Sequence, residues 1–549
     1  MHLFFALLAS VPQGPTLVAN VNDPASHGTV GDSLLSLDEA IRFANGTLTT
    51  AQMSAAEQAR IVGTGTMLDA IVIDAAVTPT ITLSAPLTDF VGPMVHHHVD
   101  ILGMPTPSGV LPVLAGGTHP RVFTFRTYNV MLHELRIQGG QVGIDAQMQP
   151  GASPTAHMAE VMHCELDGQS IAGVRVHGTG LDESMVMLEH CELSNMPIGV
   201  LIDDSTAGGF VMAEGEHLHF DMVAVGCRAN VLGAGGANMS MFNLFRSHFD
   251  MGTTLAELRR APTSAQQFMF RIVHTEAHCS GHVLDAEGSA AGLTMVHHHH
   301  SDFVAGQGQK AFLCWPRTAQ FDVHGSEMEF TGDVAIAANL TSPRCWQQNC
   351  RYHGGTVTID VDGALPNLLW NHYENCTIDV PALARSPVAV RSSELINTTV
   401  NSAAFLAPVT LQGCLQNGVT TSGFVSSVAP APAPFLGTTT VTPAEPRIGT
   451  SVTLATDLPF GYGLVWDIAE SYARPTTTME PVRFYGDPAT AIILPAMVLF
   501  QSQLVVPIPN APTLVGLEFY AQGITLPLLG QAWAPVYHLP RGSLVRLQP

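Results

Sequence analysis

From Glu160 to Ile202 apolar and polar residues alternate with a period of two, and the alternation breaks at regular places. In "EVMHCELDGQSIAGVRV" (from Glu160) Val161, Cys164 and Leu166 take the apolar positions. In "MLEHCELSNMPIGVLI" (from Met187) Leu188, Cys191 and Leu193 take the same ones, and a single residue breaks the pattern just before each cysteine. Period two is the mark of a strand with one buried side, and a one-residue break is a bend. The pattern predicts short strands joined by tight corners, in a unit that returns 27 residues on, from His163 to His190.

The phrase continues as "HLHFDMVAVG" with His219, "RSHFDMGTTL" with His248, "EAHCSGHVLD" with His278, "HHHSDFVAG" with His300 and "YENCTIDV" with Asn375. The steps from 163 to 300 are 27, 29, 29, 30 and 22 residues. A period in this range signals a solenoid, and strands without helical periodicity make it a parallel β-helix whose coils stack at about 4.8 Å. In this alignment Cys164, Cys191, Cys279 and Cys376 share one inward position. They read as small core residues.

The coil resembles that of the secreted right-handed parallel β-helix repeat proteins of bacteria, whose coil carries an "NCTI"-like phrase with Asn at a corner and Cys and Ile inward. Residues 375 to 378 read NCTI. The segment "GDSLLSLDEAIRFAN" (Gly31 to Asn45), followed by "AIVID", "TITLSAPL" and "VDILG", is similar to the opening of many of these proteins. The resemblance implies a right-handed parallel β-helix over roughly residues 30 to 425. It implies little about activity, because this fold carries lyases, hydrolases, epimerases, adhesins and fibres alike.

Within the opening segment Leu37, Ala40, Ile41 and Ala44 fall on one helical face, with Ser36 as N-cap and Glu39 as its capping-box partner. Such a helix is expected to cover the open strand edges of the first coil. After residue 425 the pattern changes. A Pro/Ala-rich linker is expected over 426–440, and 441–549 reads as strands between Pro and Gly turns, a small β-sandwich. Its "VPIPNAPTLVGLEFYAQ" resembles a C-terminal module of secreted planctomycete-like proteins. The β-helix with its cap is placed at 15–425, and residues 1–14, an apolar run before a Pro/Gly break, read as an export signal without the usual basic start. The expected location is extracellular or at the cell surface.

Composition narrows the partners. With 549 residues, only 12% charged, and a net charge of -23 from 22 Lys+Arg against 45 Asp+Glu, the chain lacks the clustered cations that nucleic acid requires. Lys310 is the sole lysine, and no apolar run reaches the 18 residues of a membrane span. Nine cysteines imply no dense disulfide framework, although Cys345 and Cys350 in "CWQQNC" are spaced for a small loop.

The histidines admit two readings. At a sharp corner His163, His190, His219, His248 and His278, aligned with Asn375, suit left-handed backbone and a stacked ladder. An acid also follows two residues later at Glu165, Glu192, Asp221, Asp250 and Asp302, but not at Ser280 or Thr377. Stacked coils then bring His163, Glu165, His190, Glu192, His219, Asp221, His248 and Asp250 together as candidate ligands for Zn²⁺ or Cu²⁺. The ladder is the preferred reading: no cofactor is expected, with a divalent metal as the open alternative. The runs His96–His98 and His297–His300 place at most two imidazoles on one strand face.

No polygalacturonase-like order of motifs is present: "VHG" (Val176 to Gly178) precedes the "DD" of Asp203 and Asp204, and no "RIK" follows. Lyase chemistry needs a cation and a basic residue, and Arg136, Arg175, Arg246 and Arg271 sit in no such motif. The acid/base candidates are His177, Asp182 and Glu183 in "HGTGLDES", with Asp203 and Asp204. The sequence therefore points to an exported, non-catalytic β-helix that presents a stacked surface to polysaccharide or to a surface protein. A polysaccharide lyase or glycoside hydrolase with its site in a loop-lined groove is the alternative.

Overall fold

The computed structural model describes residues 17–428 apart from 64–67, 92–97, 128–129, 148–158, 179–182, 205–209, 234–238, 341–345, 349, 364–365, 370 and 392, and beyond them 439–443, 447–456, 462–468, 492–494, 503–508, 510, 518–525 and 543–546. The signal segment and the centre of the Pro/Ala-rich stretch lie outside the described residues.

Each coil gives one strand to each of three parallel ladders, so the chain is a parallel β-helix. The first face runs from Leu17–Val21 and Ala70–Asp74 through Ala159–Met162 and Glu183–Glu189 to Val425–Val428. The second runs from Thr80–Thr82 through Glu165–Asp167 and Glu192–Ser194 to Leu415–Asn417, and the third from Arg121–Phe125 through Ala172–Gly178 and Ile198–Asp204 to Thr420–Gly423. Second-face strands start at 165, 192, 219, 248, 276, 302 and 329, then at 351, 372, 394 and 415. The coil shortens because first-face strands contract from seven residues at Met239–Phe245 to three at Asn367–Leu369 and four at Val388–Arg391.

Alternation puts one residue of each short second-face strand in the core, except in the last, Leu415–Asn417, which is exposed throughout. Leu166, Leu193, Phe220, Phe249, Ala277, Phe303, Phe330, Tyr352 and Tyr373 succeed one another there in register, all buried. Phe330 stacks on Tyr352 at 5.2 Å and Tyr352 on Tyr373 at 4.7 Å between ring centroids. Buried aromatic rings contribute large apolar area plus a modest pairing term. The core thus lengthens along one axis without widening, which is how a chain of this length keeps a single core.

The cap forms as expected. Helix Leu37–Ala44 starts at Ser36, whose hydroxyl accepts from the Glu39 amide while the Glu39 carboxylate accepts from the Ser36 amide at 2.9 Å. Leu37, Ala40, Ile41 and Ala44 are buried in one cluster with Ile71 and Ile73 of the first coil. At the other end Val425–Val428 still pairs with Val409–Gln412, so the last coil extends into the stretch assigned to the linker. Beyond it lie two small antiparallel sheets, one of Thr439–Thr442, Ser451–Thr456 and Gln503–Pro507, the other of Ile492–Leu494, Tyr462–Ile468, Glu518–Thr525 and Ser543–Arg546.

The four chosen cysteines are buried, and burial pushes the Cys191 and Cys279 thiols up to about 12 and Cys376 to about 11. Their shared register needs correction. Cys164 and Cys191 follow the corner between the first and second faces, whereas Cys279 and Cys376 fall where the second face ends. Two kinds of corner both take a small inward residue, and the letters alone do not separate them. Cys350 is buried with its Sγ 3.5 Å from Gln347 Oε1, and Cys345, its partner in the small-loop reading, lies outside the described residues.

Candidate functional site

The corner before the second face holds non-glycine residues in the left-handed region at Glu134, His163, His190, His217, Arg246, His274, His300 and Glu327, with φ between 48° and 54°. His219, His248 and His278 are not among them, which corrects the aligned ladder. His219 and His248 open second-face strands, in register with Glu192 and Glu276. The physical reason is the two-residue period: "HLH" offers His217 and His219 on the same outward side, and the pattern cannot tell a corner from the position two residues after it. Asn375, with Asn195 and Asn397, occupies the opposite corner, between second and third faces.

The corner imidazoles do stack. His163 and His190 are parallel at 5.0 Å, His190 and His217 at 4.5 Å, and His274 and His300 at 4.7 Å. For His190 and His217 the nearest carboxylates are those of the preceding residue, Glu189 at 3.7 Å and Glu216 at 3.8 Å, and not those two residues later. Burial, and then the neighbouring His190, lowers the pKa of His163. The stacked rings follow one another along this corner from coil to coil.

On the second face outward imidazoles and carboxylates lie side by side on neighbouring coils. His248 Nε2 lies 2.7 Å from Asp250 and its Nδ1 3.4 Å from Glu276, while His278 lies 3.3 Å from Asp250 and 3.5 Å from Glu276. The same weave returns with His353 between Glu329 and Glu374, and His372 beside Glu394 at 2.9 Å. The hydrogen bond from His248 lowers the Asp250 pKa. Each imidazole spends both nitrogens on separate carboxylates, so the donors do not converge on one point. Among the described residues the group of three metal-ligating atoms that does close, to within 4.8 Å, is His297, Asp322 and His324 on the first face. None of the eight residues proposed from the repeat belongs to it.

The "HHHH" run follows the strand rule. His297 points outward, His298 points into the core against Phe312 and Phe330, His299 is buried with its Nδ1 2.9 Å from the Ser326 hydroxyl, and His300 takes the corner, 2.9 Å from Glu327. Burial drives the His298 pKa down to about 3. Of the earlier run only His98 is described; its hydrogen bond to Asp100 raises its pKa.

The acid/base candidates divide. His177 and Asp203 are register partners on the outer side of the third face. Asp204, one residue on, turns inward and accepts hydrogen bonds from Ser240 and Gln266, because neighbours on a strand face opposite ways. Asp182 and the side chain of Glu183 lie outside the described residues.

Around His177 the third face carries a network that sequence reasoning missed. Arg175 donates twice to Asp145, both at 2.8 Å, and His177 Nε2 lies 3.1 Å from the same carboxylate. Burial alone would raise the Asp145 pKa, but hydrogen bonds from His177 and Arg175 outweigh it and hold Asp145 well below the usual carboxylate range. Asn230 donates to Asp203 at 2.7 Å, Arg228 pairs with Glu257, Arg259 bridges Glu257 and Asp285, and Trp315 Nε1 donates to Asp285 at 2.7 Å. Apart from Arg259 with Glu257 on one strand, each link spans about one coil. Opposite charges 26 to 30 residues apart were the available signal. Of the other arginines, Arg136 pairs with Asp167 at 2.8 Å, Arg246 with Glu216 at 3.1 Å, and Arg271 lies over the Phe245 ring.

No family profile and no curated protein sequence matches this chain. No helix among the described residues is long and apolar enough to cross a membrane.

Proposed function

We propose that the protein is an exported, non-catalytic scaffold whose third face binds an extended, uncharged polysaccharide. The observation that carries this reading is a pair of clusters on one face, Asp145 with Arg175, and Arg228, Glu257, Arg259, Asp285 and Trp315, with Leu201 in register between Arg175 and Arg228. Guanidinium forks held by carboxylates are pre-oriented donors, lose little freedom on binding, and stay charged at any physiological pH. They suit hydroxyl recognition along a polymer better than proton transfer. Trp315 adds a ring held at its nitrogen, with a face to offer a sugar. A net charge of -23 disfavours a polyanion.

The test is a panel of neutral and acidic polysaccharides, scored for binding and for product release. Binding of a neutral glycan without release is expected, with Trp315→Ala weakening it about tenfold, the usual weight of an aromatic anchor. Release of reducing ends or unsaturated products would overturn the reading in favour of a hydrolase or lyase. So would tight binding that Trp315→Ala and Arg228→Ala leave unchanged.

A further inference from the structure

We propose that His297, Asp322 and His324 form a copper site on the first face, with a thioether donor from Met295. The register places these four residues together: Met295 stands beside Asp322 and His297 beside His324 on adjacent coils, with the pairs two residues apart along each strand. By alternation all four lie on the outer side of the strands, with Met295, His297 and Asp322 partly exposed and His324 buried. The His297 and His324 ring centroids are 4.7 Å apart, and His324 Nε2 lies 2.6 Å from Asp322 Oδ1. One ligand atom from each of His297, Asp322 and His324 falls within 4.8 Å of the others. Small side-chain rotations that move the ligand atoms by about an ångström let three such donors surround one ion.

The choice of copper rests on a second observation. Met185, Met212, Met241, Met269 and Met295 succeed one another in register on five coils and end at Asp322. All are outward and half-buried. Strand propensity favours Val, Ile, Thr or an aromatic at such positions, so the pleated surface does not by itself select a column of thioethers. Thioethers select Cu(I), and imidazole serves copper in either oxidation state. A site of two imidazoles and one carboxylate alone suits Zn²⁺ as well, so the methionine is what discriminates.

The surroundings favour a cation on balance. Arg271 is the register neighbour of His297 on the preceding coil, but its guanidinium is directed over the Phe245 ring, 5.4 Å from the centroid. The chain as a whole carries -23.

The full chain, stripped of metal, is titrated with Cu(I) under reducing conditions against a competing chromophoric chelator, and separately with Zn²⁺ by calorimetry. One Cu(I) per chain is expected. His297→Asn, at a half-exposed position, should weaken it about a hundredfold, at the upper end for a lost metal-site group. Met295→Leu should weaken Cu(I) about tenfold and leave Zn²⁺ unchanged, since a thioether serves the softer ion. Unaltered melting of both metal-free variants excludes misfolding as the cause. Wild-type Cu(I) affinity equal to that of His297→Asn overturns the site. Zn²⁺ binding with no response of Cu(I) to Met295→Leu overturns the assignment to copper.

Discussion

His190 sits at φ 51° with its ring between those of His163 and His217. A side chain in that backbone region costs free energy unless it is Gly, Asn or Asp, or is held in place. His190→Asn should therefore change stability by no more than about 0.5 kcal/mol, because the lost stacking is offset by a more tolerant backbone. His190→Val should cost about 1 to 3 kcal/mol, since a β-branched residue there is strained. Thermal or denaturant melting of the two variants measures the difference, and equal losses would show that the rings and not the backbone set the requirement. His274 adds a pH dependence. Burial, then the charges of His300 and Arg246, hold its pKa well below the usual value. Unfolded histidine takes up its proton near pH 6.5, so below that the unfolded chain binds more protons and stability falls as pH drops. Melting between about pH 7.5 and 5.5 should show this loss, reduced in His274→Asn. His98, with a raised pKa, gives the opposite trend, with stability present in acid and lost as pH rises through its folded value. At this scale the sequence made the corner histidines visible but not their membership. His217 and His219 are both outward and two apart, and only the backbone angle separates them.

The capping helix is the element that local rules determine most completely. Ser36, Glu39 and the apolar positions Leu37, Ile41 and Ala44 lie within ten residues, so their mutual geometry was readable before any tertiary contact. Ser36→Ala should cost about 1 kcal/mol through the lost cap. Ile41→Asp should abolish soluble expression, because it buries an unpaired charge at a contact that is fully closed. Normal yield and an unchanged melting curve for Ile41→Asp would show that the helix does not seal the first coil. The third-face network stands at the other extreme. Arg228 and Glu257, or Arg259 and Asp285, meet across one coil, and their pairing depends on the register of strands whose loops differ in length. No local pattern fixes that register. The same is true of His297, Asp322 and His324: the run of four histidines was plain, but Asp322 and His324 lie in a separate strand without a motif of their own.

For the whole molecule, stacking makes each coil answerable mainly to the coils above and below it, so stability is close to a sum over neighbours. Removing one complete coil should then shorten the molecule without unfolding it, provided the new neighbours match. Residues 372–393 are such a coil, 22 residues from one second-face strand start to the next, at Glu394. Its excision would set Arg351 beside Glu394, Tyr352 beside Leu395, Val357 beside Val400 and Leu368 beside Leu411, because each pair now flanks one shared partner in register. An opposite-charge pair replaces the Arg351–His372 contact outside, and apolar residues remain opposed inside. The variant should be soluble, keep a β-sheet circular dichroism spectrum and melt cooperatively at a somewhat lower temperature. Removing only 372–382 makes the contrast, since it takes out the second- and third-face strands His372–Glu374 and Thr377–Val380 but keeps the first-face strand Val388–Arg391, so one ladder gains a strand that the other two cannot match. That variant should aggregate. If the complete-coil deletion unfolds as readily as the half-coil deletion, neighbour stacking does not govern this molecule, and its stability lies in contacts that span more than one coil.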